Sequence, residues 1–379
     1  MKKDIPLEAI RGIAALVVVV QHVHHGYFPH FEQGWQGSPF FVLMNGSAAV
    51  MLFFVLSAYV LTRRYFEVGD NRILLRGAVK RWPRLMGPVL LVVMLSYMLF
   101  KLDLYQFEQA GAISGSPWLI KFADAYNVKM PIQFWDALKE GSLLTFFRGD
   151  FHYDSPLWTM HAEFIGSFIA FAFALILFEA RKASLLLTIA LVPIAALLAG
   201  RVGGFPPSTL IAFPIGVGLA ALVPRGLAIP SRIAYPALLV ALYFLGFSGV
   251  GIGAYSIFNH GMLISHPGEL NIVGAVILIT AIETFPPIRA VLSGPLSRFL
   301  GELSFPIYLV HVLVICSVGA AMYLWLGAHA ATLAVFVFSI IVSLPLIAFN
   351  RWWIKRVNAA TVLIIREGPF RYKHPQSVG

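Results

Sequence analysis

A basic residue and a titratable residue stand at opposite ends of the first apolar stretch, Leu7–Gly26, which reads "LEAIRGIAALVVVVQHVHHG". Arg11 and His22 are eleven positions apart, which at about 100° per residue places both on one helix face, roughly 16 Å apart along the axis. An imidazole can take a proton from a hydroxyl near neutral pH, and a guanidinium can stabilise developing negative charge. The pattern predicts acid–base chemistry inside a membrane. Two simpler roles stay open: Arg11 could reach back to the interface, and His22 could be a hydrogen-bonded packing residue.

A carboxylate occurs in a second apolar segment, "DSPLWTMHAEFIGSF". Glu163 lies about six residues into the fourth predicted span, at a depth comparable to that of His22. It could orient the imidazole, stabilise its protonated form or bind a substrate hydroxyl, although an ion pair that serves only packing explains it as well. His161 points to a different helix face, and His24 and His25 are expected at the membrane boundary. These three histidines are therefore not placed in the site.

Basic residues are concentrated in one segment between apolar stretches, "TRRYFEVGDNRILLRGAVKRWPRL". Most of them need be no more than topology signals and contacts to anionic lipids. Arg81 and Arg84 differ because they are three positions apart on one helix face, beside Pro83 at the mouth of a span. This pair could bind the phosphates of a soluble cytoplasmic donor.

The composition shows what kind of protein must hold these groups in place. The chain has 379 residues, of which 59% are hydrophobic and 12% charged, and its mean hydropathy is +0.79. These values exclude a water-soluble globule and indicate an all-α polytopic membrane protein. A net charge of +10 would suggest nucleic-acid binding in a soluble protein, but here no nucleic-acid partner is expected because the basic residues lie between apolar stretches. The single cysteine, Cys316, excludes an intrachain disulfide and a thiolate metal cluster, and no metal site is expected.

Apolar segments of spanning length predict about ten transmembrane helices. They lie at about residues 7–25, 46–65, 85–101, 157–179, 184–200, 208–223, 232–248, 269–285, 305–326 and 330–353.

The distribution of lysine and arginine predicts the orientation of these spans. With ten spans and a cytoplasmic N-terminus, most of the 28 basic residues fall on the inside, so both termini are expected in the cytoplasm. Residues 1–356 then form a transmembrane domain with an extracytoplasmic loop at about 102–156, and residues 357–379 form a basic cytoplasmic tail. The first span is expected to be retained, because it contains Arg11 and no small-residue cleavage site follows it. In a bacterium the protein would be a multi-pass protein of the plasma (inner) membrane.

Five motifs in sequence order resemble those of the acyltransferase-3 family of integral membrane acyltransferases. They are "LEAIRGIAALVVVVQHV", with its Arg, ten residues and His; "GSAAVMLFFVLSAYVLTRR"; "KRWPRL"; "LWTMHAEF"; and "LGELSFPIYLVHVLV". They extend from residue 7 to about residue 315 and so cover most of the chain. Two positions depart from the family pattern: Ala58 stands where the family often has Gly, and Phe305 where it often has Tyr. If that Gly admits the donor closely, Ala58 would narrow the range of acyl groups.

The resemblance implies an activity and adds candidate residues. It implies O-acylation, often transfer of acetyl from cytoplasmic acetyl-CoA, to a hydroxyl of a saccharide or lipid-linked glycan, as in polysaccharide modification. Acyl-CoA is then a co-substrate, and no bound cofactor is expected. Ser57, Tyr308 and His311 join Arg81 and Arg84 as donor-binding candidates, although His311 could equally serve packing. The other expected partners are membrane lipids, and the oligomeric state is not predicted.

The residues favour direct transfer, in which His22 acts as general base, Glu163 orients it, and Arg11 steadies the thioester. A covalent route through Ser57 or His22 stays open. The principal alternative is a transporter or flippase for a saccharide or lipid, in which Arg11, His22 and Glu163 would form a relay. A structural or sensory membrane module would use the same charged residues only to hold helices together.

Overall fold

The computed structural model describes residues 4–31, 34–125, 132–180, 207–223, 228–258 and 267–367, together with Leu186, Leu187, Ala190 and Ile194. Within these residues the chain is all-helical, and no strand is formed. The predicted all-α fold is therefore confirmed.

The helices are α1 (Ile5–Tyr27), α2 (Gly46–Val68), α3 (Arg72–Lys101), α4 (Phe107–Ser114), α5 (Pro117–Ile120), α6 (Phe134–Lys139), α7 (Thr145–Phe147), α8 (Trp158–Glu179), α9 (Pro207–Leu222), α10 (Ser231–Leu245), α11 (Pro267–Thr284), α12 (Pro286–Val291), α13 (Pro295–Val314), α14 (Ala320–Leu326) and α15 (Ala328–Glu367). Short 3₁₀ turns lie at Pro39–Leu43, Ser155–Leu157 and Gly253–Phe258, and π turns lie at Glu140–Leu144 and Ile315–Gly319. The second π turn joins α13 to α14 without a break.

Seven helical segments in the described part of the chain are long and apolar enough to cross a membrane: α1, α2, α3, α8, α11, the joined α13 and α14, and α15. The helices α9 and α10 are apolar but shorter. The predicted span at 184–200 lies almost wholly outside the described residues, so the count of about ten stays a prediction. These segments make the protein an integral, multi-pass membrane protein.

Two predicted boundaries differ from the structure. Helix α3 begins at Arg72, not near residue 85, because hydropathy penalises arginine and lysine although both are good helix formers. Arg81 and Arg84 therefore lie within the helix and not in a loop before it. The predicted boundary at 356/357 falls inside α15, which runs on to Glu367; residues 368–379 lie outside the described residues.

The helix bundle has two distinct ends. The end that carries Arg63, Arg289 and Arg351 is called the basic end, and the opposite one is called the cap end, because residues 102–125 and 132–156 cover it. Helix α1 begins and α15 finishes at the basic end, where Trp353 Nε1 donates to the Pro83 carbonyl at 2.7 Å. The described chain thus starts and ends on one side of the bundle.

An ion-pair network ties helix ends together at the basic end. Arg289 donates to Asp4 at 3.0 Å and to Glu283 at 3.2 Å, while Arg63 lies 2.8 Å from Glu283 and 3.5 Å from Asp4. The network joins the start of α1 to the ends of α2 and α11 and to α12. It holds α1, which carries Arg11 and His22, in register with its neighbours.

Helices α1 and α13 run parallel and approach each other closely through glycines. A Cβ placed on Gly12 would lie 2.4 Å from the Leu300 carbonyl oxygen, and one on Gly301 would lie 2.6 Å from Glu8 Cβ. Only glycine permits this contact, as at many helix crossings in membranes. Near the cap end, Tyr27 donates to the Ile315 carbonyl at 2.7 Å, which fixes the same register.

Candidate active site

A buried polar cluster joins three helices in the middle of the bundle. The Arg81 guanidinium of α3 donates to the Glu163 carboxylate of α8, and its Nε donates to Ser167 Oγ at 2.5 Å. Ser57 Oγ of α2 donates to the same Glu163 oxygen, and Arg81 Nη2 lies 3.3 Å from Ser57 Oγ. The Arg81 side chain is 7% exposed and that of Glu163 15%, so the two opposite charges compensate each other with little exposure to solvent.

Local helix geometry explains how the cluster assembles. Glu163 and Ser167 are four residues apart on α8 and therefore share a face, and Ser167 Oγ donates to the Glu163 backbone carbonyl. Ser167 was missed by the sequence reasoning, although its spacing from Glu163 was a usable signal.

The predicted partnership of Glu163 with His22 is wrong. Among the described residues, the Glu163 carboxylate bonds to Arg81 and Ser57 and not to the imidazole. A similar depth in the membrane did not imply contact, because α8 presents Glu163 to α2 and α3 while His22 faces α13.

A cavity of about 810 Å³ extends from the basic end to this cluster. Its polar lining consists of Asp4, Glu8, Arg11, Ser57, Arg63, Arg64, Arg81, Arg84, Thr159, Glu163, Arg289, Ser293, Glu302, Ser304, Tyr308, Asn350 and Arg351. The predicted residues Arg11, Arg81, Arg84, Ser57, Glu163 and Tyr308 are thus brought together around one space. His22 and His311 are not part of this lining.

The arginines of the cavity differ in how far their guanidinium groups are already paired. Arg81 is engaged by the cluster through Nε and Nη2, and Arg11 Nη1 donates to Glu8 at 3.0 Å. Arg351 pairs with Glu302. Within the described part of the chain, Arg84 and Arg64 form no ion pair or side-chain hydrogen bond, so their donors are available to an anionic ligand.

Two positions that depart from the family pattern have different surroundings. Phe305 lines the cavity. Ala58 is fully buried and faces α9, where a Cβ on Gly216 would lie 2.8 Å from Ala58 Cβ. The expectation that Ala58 narrows the donor site is therefore wrong, because its side chain packs between two helices away from the cavity.

A pair of histidines lies between the cluster and the cap end. His22 Nδ1 of α1 is 2.7 Å from His311 Nε2 of α13, and the ring planes are within 3° of each other. His311 is fully buried, whereas His22 retains partial exposure. Tyr308, one turn below His311, lines the cavity, and its ring centroid is 5.8 Å from that of His311. The histidine pair thus lies next to the inner end of the cavity.

The cap end covers His22 with an aromatic residue. Trp118 of α5 lies 5.1 Å from the His22 ring, with 25° between the planes, and 5.8 Å from the His25 ring. Ser116 Oγ donates to the His25 carbonyl at 2.5 Å, which docks α5 onto the end of α1. His24 donates to the Val20 carbonyl on its own helix, consistent with its placement outside the site.

Two buried carboxylates lie beneath the cap, outside the spans. Glu140 accepts from the Tyr153 backbone N–H at 3.0 Å and bonds to His152 Nδ1 at 2.9 Å, and this bond raises the pKa of the His152 imidazole. Asp154 is fully buried, and neither of its carboxylate oxygens has a hydrogen-bond partner. Burial, and secondarily the nearby Glu140, raise the pKa of the Asp154 carboxyl well above its ordinary value.

No group of three or more His, Cys, Asp or Glu residues that could hold a metal ion occurs within the residues that the structure describes. Cys316 is buried and unpaired with another cysteine.

The described chain is thus a multi-pass helical bundle with an arginine-lined internal cavity next to a histidine pair. The family model of the acyltransferase-3 family, described as an acyltransferase domain, matches residues 5–348. The chain belongs to this family, as its five motifs predicted, and it is a membrane acyltransferase for groups other than aminoacyl groups. No curated protein and no solved structure matches the chain.

Proposed function

We propose that the protein transfers an acyl group, expected to be acetyl, from acyl-CoA to a hydroxyl of a saccharide or lipid-linked glycan. The observation that carries this proposal is the cavity of about 810 Å³, which begins among arginines at the basic end and ends beside Tyr308. A CoA thioester carries phosphates at one end and an apolar acyl group at the other. The cavity offers partners for both, with Phe53, Leu85, Met160 and Phe305 among its apolar lining residues.

The basic end faces the cytoplasm in this proposal, in keeping with the expected positions of the termini and with a place in the inner membrane of a bacterium. Cytoplasmic acyl-CoA would then enter among Arg64, Arg84 and their neighbours. Arg84 is the principal phosphate contact, because Arg81 Nε and Nη2 already donate to Ser167, Ser57 and Glu163. Arg81 and Glu163 instead hold the cavity wall in shape. Arg11 lies about three helical turns from His22 along α1, so it contacts the donor nearer the basic end and not at the thioester.

The transfer itself requires a base at the inner end of the cavity. The acceptor oxygen attacks the thioester carbonyl, its proton passes to His22, and the new C–O bond forms as the C–S bond breaks. The CoA thiolate leaves and takes up the proton, so that His22 returns to its neutral form. The acceptor reaches His22 from the cap end, where the Trp118 ring covers the imidazole.

A covalent intermediate on Ser57 has less support than direct transfer. Ser57 Oγ donates to Glu163, but Arg81 donates to the same carboxylate oxygen, which is therefore already engaged. Single turnover with radiolabelled acetyl-CoA and no acceptor separates the two routes. Label that stays on the protein and is absent in Ser57→Ala would establish the acyl-enzyme.

The transporter alternative required Arg11, His22 and Glu163 to act as one relay. In the described residues Glu163 bonds to Arg81 and Ser57, and Arg11 bonds to Glu8, so these three groups do not form a connected chain.

The decisive experiment uses the purified protein in nanodiscs with radiolabelled acetyl-CoA and the lipid-linked glycans of the source membranes. We expect acceptor-dependent release of free CoA thiol and label in the glycan fraction, both lost in His22→Ala. The matched control is His24→Ala, two positions along α1, whose imidazole bonds only within its own helix among the described contacts. Glycan movement across the bilayer without CoA release would contradict the proposal.

A further inference from the structure

The hydrogen bonds of the histidine pair determine which ring nitrogens carry protons. His311 Nδ1 lies 2.7 Å from the Tyr308 carbonyl oxygen and 3.1 Å from that of Ile307. A carbonyl oxygen can only accept, so Nδ1 of His311 carries a proton. Since His311 is fully buried and no carboxylate is bonded to it in the described part of the chain, the ring is neutral and its Nε2 is a lone-pair acceptor.

The assignment of His311 determines that of its neighbour. Because His311 Nε2 can only accept, the 2.7 Å contact requires His22 Nδ1 to donate. Neutral His22 then has its lone pair on Nε2, the ring nitrogen that faces away from His311. This is the nitrogen that can take a proton from a substrate.

The ring geometry supports a hydrogen bond between ring edges. The centroids are 5.0 Å apart and the planes are within 3° of each other, while the two nitrogens are 2.7 Å apart. Stacked faces would bring the centroids closer than this for parallel rings. The contact therefore runs from ring edge to ring edge, as a directional N–H···N bond requires.

We propose that His311 is a positioning residue that fixes His22 in the tautomer with Nδ1 protonated and Nε2 free to act as the base. The proposal rests on the proposed function in so far as it concerns rate, but the tautomer itself does not depend on any substrate. In this proposal His311 acts on His22, on the acceptor side of the site, and does not have the donor-binding role expected from the sequence.

The hydrogen bond between His22 and His311 acts mainly on the transition state. When His22 Nε2 takes the acceptor proton, the ring becomes positively charged and its Nδ1–H bond to His311 becomes charge-assisted and stronger. An interaction that strengthens only as the reaction proceeds lowers the barrier without improving ground-state binding. Loss of His311 is therefore expected to lower kcat and to leave the KM for acetyl-CoA nearly unchanged.

Two substitutions of His311 separate positioning from packing. His311→Leu removes the acceptor, and we expect kcat to fall on the order of 100-fold, the low end of what a well-placed base supplies. His311→Gln places an amide oxygen near the former Nε2 position, where it can accept the bond from His22. Its kcat is therefore expected to lie much closer to the wild-type value than that of His311→Leu. The matched control is His161→Gln, because His161 is also buried and its Nδ1 bonds to a backbone carbonyl, that of Phe146, at 2.6 Å. The kcat of this variant should stay within about twofold of the wild-type value.

A spectroscopic measurement on the wild-type protein tests the tautomer directly. Nitrogen-15 spectra of histidine-labelled protein in nanodiscs, with His22 signals assigned by their loss in His22→Ala, should show a protonated Nδ1 and an unprotonated Nε2. A protonated Nε2 in neutral His22 would overturn the proposal even if acyl transfer is demonstrated. Equal kcat values for wild type and a folded His311→Leu would overturn it as well. Absence of acyl transfer would instead contradict the proposed function and leave the spectroscopic result intact.

Discussion

Arg81 and Glu163 form a buried ion pair between α3 and α8, and the carboxylate oxygen that pairs with Arg81 also accepts the hydroxyl hydrogen of Ser57. One carboxylate thereby holds α2, α3 and α8 at a common point. This point lies on the wall of the arginine-lined cavity, so the stability of the bundle and the shape of the proposed binding site depend on the same contacts.

Glu163→Leu is expected to destabilise the folded protein by about 3–5 kcal/mol, because it leaves the Arg81 guanidinium buried without a counter-charge. The measurement is thermal unfolding of the purified protein in one detergent, compared with wild type. The double variant Arg81→Met with Glu163→Leu should be more stable than the single variant, since no charge is then stranded. If the single variant is as stable as wild type, the pair does not hold the helices together.

Arg84→Ala is expected to weaken acetyl-CoA binding by about 10-fold to 100-fold, the equivalent of one charge-assisted hydrogen bond. The reason is that Arg84 lines the cavity and has no partner among the described residues to compete for its donors. Binding is measured by calorimetry in nanodiscs. Arg76→Ala is the matched control, because Arg76 is exposed on the same helix and outside the cavity lining. Equal losses in both variants would indicate a general charge effect and not a specific contact.

Local patterns in the sequence were sufficient for much of this arrangement. Hydropathy located the seven segments of the described chain that are long and apolar enough to span a membrane. The three-residue spacing of Arg81 and Arg84 placed them on one face, because helix periodicity depends only on neighbouring residues. The cavity lining confirms that both face the same space.

The partners of these groups could not be predicted from local sequence patterns. Glu163 bonds to Arg81, 82 positions earlier, and His22 bonds to His311, 289 positions later. Such contacts depend on which helix faces pack together, and depth in the membrane alone cannot distinguish among several helices that cross the same level. The glycines Gly12 and Gly301, which set the contact of α1 with α13, carry no sign in the sequence of which helix they face.

The His152–Glu140 bond predicts a pH-dependent contribution to stability beneath the cap. The bond to Glu140 raises the pKa of His152 above its ordinary value of 6.5, so the contribution is fully present below pH 6.5 and is lost as pH rises through the raised value. Because the His152 side chain is 37% exposed, solvent screening limits the effect to about 1 kcal/mol or less. Thermal unfolding of wild type and His152→Ala should therefore differ at pH 6 and converge at pH 9. A difference that does not vary with pH would show that the bond is not ionic.

Asp154→Asn is expected to stabilise the protein at pH values above the ordinary pKa of aspartate. Burial raises the pKa of the Asp154 carboxyl well above 3.8, so the carboxyl must stay protonated in the folded state. The sign follows from proton binding: between the ordinary and the raised pKa the unfolded chain releases the Asp154 proton and the folded chain does not, so wild type loses stability as pH rises. The amide has nearly the same shape and does not titrate. The stability of Asp154→Asn relative to wild type should thus increase from near pH 4 by up to about 1.4 kcal/mol per pH unit. Thermal unfolding of both proteins from pH 4 to pH 8 measures this slope, and an advantage for wild type that grows with pH would show that the carboxylate is charged and paired in the folded protein.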